Sequence, residues 1–106
     1  MRVIYTVQSR HDLGELGDWI ARDNPRRALS FVRQLRVRCR GLASYPARFP
    51  VIAERHDAQV RRCVHGDYVI LFHIAVKPEA VVILGVVHGA RDYNKLLRLL
   101  GWEDGD

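Results

Sequence analysis

VRRCVHGDYVILFHIAVKPEAVVILGVV, residues 60–87, is the stretch that decides the fold. Two turn signals, Gly66-Asp67 and Lys77-Pro78-Glu79, divide it into three β-branched, apolar runs: 60–64, 68–76 and 81–87. Connections this short predict an antiparallel meander. In the middle run Tyr68, Ile70, Phe72, Ile74 and Val76 share one face, and Val69, Leu71, His73 and Ala75 share the other. Both faces are largely apolar, which predicts a central strand covered by helices on at least one side. Arg61 and Arg62 fall on opposite faces of their strand, so at most one of them can be buried.

Upstream the apolar period changes to that of helices. Asn24 is a good N-cap, and Pro25 suits the first helical position, where its missing amide costs nothing. Ala28, Val32, Leu35, Cys39 and Leu42 then form one stripe, predicting an amphipathic helix over 25–42. Phe31 and Arg38 lie on its flank, while Arg26, Arg33, Arg36 and Arg40 spread over its outer surface. Before it, Leu13, Leu16 and Ile20 recur at helical spacing beside Trp19, and Ser9 followed by Asp12 reads as the start. Gly14 and Gly17 weaken that helix or permit close approach to a neighbour. The joint is too short for anything but an antiparallel hairpin, and its stripes need a further layer. Val3, Ile4, Tyr5 and Val7 predict a strand that pairs beside one of the later ones.

Between hairpin and meander, Pro46 and Pro50 restrict the chain, Tyr45 and Phe49 are placed to plug the core, and Val51-Ile52-Ala53 follows. After the meander, residues 94–100 read as a short helix carrying Leu96, Leu97 and Leu100, stopped by Gly101. The acidic tail, 101–106, is expected to fray. The fold class is α+β: an N-terminal strand, an antiparallel helical hairpin on a small antiparallel sheet, and a short C-terminal helix, in one domain over 1–106.

A chain of 106 residues suits one domain, burying roughly two-thirds of its extended surface. Hydrophobic residues at 48% exclude a disordered basic tail. No signal peptide is visible, and no run approaches the roughly 18 apolar residues of a membrane span, so a cytoplasmic location is expected. Cys39 and Cys63 are too few for a disulfide scaffold. The net charge of +5 is uneven. Residues 1–48 hold ten arginines against four acids, 49–76 are neutral, and 77–106 sum to −1. Six arginines and no acid lie between Pro25 and Arg40. Such a field is either a solvated helix face or a surface for an acidic partner, protein or nucleic acid. Arginine in place of lysine favours directional carboxylate or phosphate contacts.

No metal-ligand spacing, glycine-rich phosphate loop or nucleophile elbow is present, and no cofactor is expected. His73 sits on an apolar strand as a core or interface histidine. His88 ends another strand, where an imidazole can fix a turn through a backbone carbonyl.

The order of elements, Asn24-Pro25, Arg61 ahead of Gly66-Asp67-Tyr68, and the closing Val87-His88-Gly89-Ala90-Arg91-Asp92 resemble the RelE/ParE superfamily of bacterial toxins. The ParE branch is the nearer match, through the Tyr5-Thr6 strand and the helix pattern from Asp12 to Ile20. The resemblance implies the toxin of a type II toxin–antitoxin module, neutralised by a cognate antitoxin with an acidic, partly disordered segment. It further implies DNA gyrase as target, inhibited by direct binding, with operator DNA met only through the antitoxin and no membrane partner. On that reading Arg61, His88, Arg91, Tyr93, Leu96 and Leu97, with Arg33, Arg36 and Arg40 of the arginine helix, are partner-binding residues. RelE-like relatives cleave mRNA on the ribosome. That alternative would draw its base, acid and phosphate cations from His88, Arg91, Tyr93, Arg61 and Glu54. The neutral 49–76 stretch lacks the basic cluster such enzymes carry. An inactive remnant or plain protein-binding adaptor is the third possibility.

Overall fold

Asn24 caps a helix as its chemistry predicts: its side-chain oxygen accepts the Arg27 N–H at 3.0 Å, with Pro25 at the first helical position. A computed structural model describes residues 1–55, 58–89, 98 and 101. The elements are β1 (Arg2–Tyr5), α1 (Val7–Ala21), α2 (Pro25–Gly41), β2 (Val51–Arg55), β3 (Ala58–His65), β4 (Tyr68–Val76) and β5 (Glu79–His88). Two short 3₁₀ turns, Leu42–Ser44 and Pro46–Arg48, link α2 to β2. Of the predicted helix over residues 94–100 only residue 98 is described, and the tail beyond Gly101 lies outside the described residues. Gly101 itself has φ +75°, the left-handed conformation expected of a stop, and its N–H donates to the Arg98 carbonyl at 3.2 Å.

The sheet order is β1-β5-β4-β3-β2, with β4 central. Strands β2 to β5 form the expected antiparallel meander, whereas β1 runs parallel to β5, pairing Val3 with Val81 and Tyr5 with Ile83. A strand reached through a helical hairpin is released from the antiparallel rule that tight turns impose. β2 is a fourth meander strand that the apolar runs did not reveal. It is a short edge strand, and its register slips between Val51 and Ala53.

The hairpin packs on one face of the sheet. Leu13, Phe31, Leu35, Cys39 and Leu42 meet Cys63, Ile70, Phe72, Val81, Ile83 and Val86 in the main core. Val60, Val69, Leu71, Leu84 and Ala53 form a second buried cluster. A bulge aligns these faces: Leu71 pairs with Gly85 but Phe72 with Ile83, leaving Leu84 as the extra residue. Ile83 and Val86 therefore both face the main core although they are three positions apart.

Four local expectations are corrected. The cap of α1 is Thr6, not Ser9: the Thr6 hydroxyl accepts the Ser9 N–H at 3.1 Å and donates to the Ile83 carbonyl at 3.0 Å. Thr6 wins because one hydroxyl both starts the helix and ties it to β5. Val7 thus belongs to the helix, not the strand, and is exposed. Asp12 is displaced from the first turn, so it does not serve the helix dipole. Tyr45 is 62% exposed and plugs nothing, whereas Phe49 packs edge-on against Phe72 at 5.8 Å. Gly17 does permit close approach, since a Cβ there would lie 3.3 Å from a Val32 methyl; Gly14 faces open space.

Candidate functional site

Four groups of residues carry chemistry on this scaffold. At one end of the sheet, register places His65, Tyr68 and His88 in one row across β3, β4 and β5. Tyr68 meets His88 edge-on at 5.1 Å and Phe31 of α2 at 5.2 Å, and Phe31 reaches His65 at 5.9 Å. Burial, then the neighbouring Asp67 carboxylate, pushes the Tyr68 hydroxyl above its ordinary pKa. The turn beside His88 is closed by backbone, with the Gly89 N–H donating to the Asp67 carbonyl at 2.7 Å. Gly89 has φ +73°, which favours glycine there.

Arg61 is elsewhere. It pairs with Phe72, four residues along β4 from the Tyr68 row, so Arg61 lies away from the row that holds His88. Its guanidinium donates to the carbonyls of Phe49 at 2.6 Å and Ala47 at 3.1 Å, and to the Gln59 side chain at 3.2 Å. These bonds fasten the second 3₁₀ turn to β3. Glu54, on β2, accepts from the Gln59 amide at 3.0 Å. The three described members of the ribonuclease set thus belong to separate rows of the sheet; Arg91 and Tyr93 lie outside the described residues, as do Leu96 and Leu97.

On α2, Arg33, Arg36 and Arg40 are exposed. Arg36 sits 5.5 Å from the Tyr5 ring, and with Arg40 it borders a depression of about 320 Å³ beside Met1, Val3 and Ala43. Arg33 and Arg38 border a second depression with Gln34, Val37 and His65. Burial, followed by the adjacent Cys39 thiol, pushes Tyr5 up to about 12. Burial likewise pushes Cys39 up to about 11.

The fourth group was not assembled from sequence. An open cleft of about 670 Å³ lies between α1 and the sheet end, lined by Asp12, Glu15, Leu16, Asp18, Trp19, Arg22, Tyr68, Val86 and His88. Asp12 is tied to the fold, accepting the Val86 N–H at 3.0 Å and the Gln8 amide at 2.8 Å. Glu15 meets His11 at 2.6 Å, and the Arg22 guanidinium lies 5.1 Å from the centre of the Trp19 ring. The available signal was Trp19, a large ring beside the apolar stripe, three acids along one helix being the other half. Among the described residues, no group of three His, Cys, Asp or Glu side chains is placed to hold a metal, and no helix is long and apolar enough to cross a membrane.

A strand, a helical hairpin and a meander joined in this order define the RelE/ParE class of toxin folds. Residues 3–93 match the model of the ParE toxin of the type II toxin–antitoxin system parDE, and the chain belongs to that family. It is therefore a toxin component of a type II module, with a cognate antitoxin as partner. Among solved structures, it resembles a chain of the chromosomal ParDE system from P. aeruginosa with a TM-score of 0.68. The two are 16% identical, and the match covers 84% of this chain and 96% of that one, a likeness of fold. It also resembles a chain of the RelBE2 toxin–antitoxin complex from Mycobacterium tuberculosis: TM-score 0.51, 25% identity, 82% of this chain and 95% of that one. Comparison with curated protein sequences finds no match.

Proposed function

We propose that this toxin inhibits DNA gyrase by direct, stoichiometric contact and performs no catalysis of its own. Its antitoxin neutralises it with an acidic segment laid against the arginine face of α2. The family match carries the reading, since it selects the ParE branch across residues 3–93. The separation of His88 from Arg61 and Glu54 supports it, because RNA cleavage needs base, acid and phosphate cations converging on one ribose. Arg33, Arg36 and Arg40 support the antitoxin contact, as exposed guanidiniums suited to paired hydrogen bonds with carboxylates. Arg61, His88, Arg91, Tyr93, Leu96 and Leu97 remain nominated as contact residues.

The test sets a gyrase supercoiling and DNA-cleavage assay beside mRNA cleavage on loaded ribosomes. Loss of supercoiling with accumulation of linear DNA, reversed by antitoxin, is the expected result. Cut mRNA with gyrase untouched would install the ribonuclease reading. A chain that arrests neither, and does not slow growth when expressed without antitoxin, is an inactive remnant.

A further inference from the structure

The cleft between α1 and the sheet end is opposite in charge to the arginine face of α2. The protein carries +5, yet among the described residues that line the cleft Asp12, Glu15 and Asp18 against Arg22 sum to two net negative charges. Its lining joins rings to the aliphatic Leu16 and Val86: Trp19 is 63% exposed, and the Tyr68 and His88 rings meet edge-on. Carboxylates beside exposed aromatic side chains attract guanidinium and ammonium groups and repel phosphate. Asp12 is committed to the Val86 N–H. Asp18, by contrast, has no ion pair among the described residues, and Glu15 has only the surface pair with His11. Arg22 over Trp19 shows within the chain the contact that an incoming cation would make.

We propose that this cleft is a second protein-binding surface, taking an extended basic segment of a partner in which arginine or lysine alternates with apolar side chains. Size supports a peptide. From Asp12 to Arg22 the wall runs about 15 Å along a helix, the reach of roughly four to five extended residues. Alternation follows from the two-residue period of an extended chain, with one side on the rings and aliphatic side chains and the other at the carboxylates. The acidic antitoxin segment proposed for α2 is the wrong charge here, so the two surfaces serve partners of opposite sign and neither proposal depends on the other.

The test is a ¹⁵N-correlation NMR titration of the full-length toxin. Its probes are a short peptide alternating arginine with leucine and a control alternating glutamate with leucine. The Trp19 indole signal is identified by its loss in Trp19→Phe. The basic peptide is expected to shift that signal saturably, and the acidic one to leave it in place. Glu15→Gln with Asp18→Asn, both exposed positions, should weaken binding at least tenfold while other signals stay put; Asp18→Asn alone should weaken it in part. The proposal is overturned by an unmoved Trp19 signal, by an equal response to the acidic peptide, or by undiminished binding in folded carboxylate variants.

Discussion

Asp12 shows how a residue legible as one thing in sequence becomes another in space. Three residues after Ser9 it reads as a first-turn acid, but with Thr6 as cap it lies a turn further on and satisfies the Val86 N–H of β5. No linear pattern announces a bond across 74 positions. Asp12→Ala leaves that amide without its carboxylate and should cost about 1–3 kcal/mol in urea unfolding, with Asp12→Asn recovering part. An unchanged midpoint would show that water replaces the carboxylate. His73, read as a core or interface histidine, is half-buried on β4, and that burial lowers its pKa below 6.5. The unfolded chain therefore takes up the proton first as pH falls. Its contribution to stability is full above 6.5 and is lost as pH drops from there through the folded-state value. The unfolding midpoint should fall between neutral and mildly acidic pH, and His73→Gln should flatten that part of the profile. A flattening absent from the variant assigns the acid loss to other groups.

At the scale of elements, regular periods were readable and tertiary exceptions were not. The α2 stripe is buried at Ala28, Leu35, Cys39 and Leu42 and half-buried at Val32. Phe31, placed on the flank by its spacing, is a main-core residue because the helix turns that side to Tyr68 as well. Leu35 in its middle is fully buried, and Leu35→Ala should cost about 2–5 kcal/mol by calorimetry or denaturant unfolding. β2 escaped because an edge strand needs one buried face, and Ala53 is its only fully buried described side chain. The parallel pairing of β1 escaped because pairing direction is a property of connections, not of the paired residues. The site divides the same way. Arg33, Arg36 and Arg40 were readable from helical spacing, while the cleft joins α1 to β4 and β5 across the fold. Gly14 offers a clean helix-propensity test, as a Cβ there meets nothing within 4 Å. Gly14→Ala should stabilise by about 1 kcal/mol. A loss instead would reveal a contact to the exposed face of α1.

Across the whole molecule, charge is sorted by helix. α2 presents arginine on its outer surface, α1 presents three acids to the cleft, and the hairpin turn between Ala21 and Pro25 keeps the two regions on one rigid layer. A uniformly basic surface would bind anything anionic, but this arrangement restricts an acidic segment to one side. Replacing Arg33, Arg36 and Arg40 together with glutamate should therefore weaken the antitoxin complex at least a hundredfold at low salt. All three are exposed, so folding should be little changed. Their contribution is electrostatic and partly screened at physiological salt, where the Debye length is about 8 Å. The gap between variant and wild type should accordingly narrow as salt rises, with most of the change in the association rate if the charges steer encounter and in dissociation if they make paired hydrogen bonds. Titration of the antitoxin by surface-immobilised binding kinetics over a salt series reads both. Equal affinity of the glutamate variant at low salt would remove α2 from the antitoxin interface and leave its arginines a solvated face.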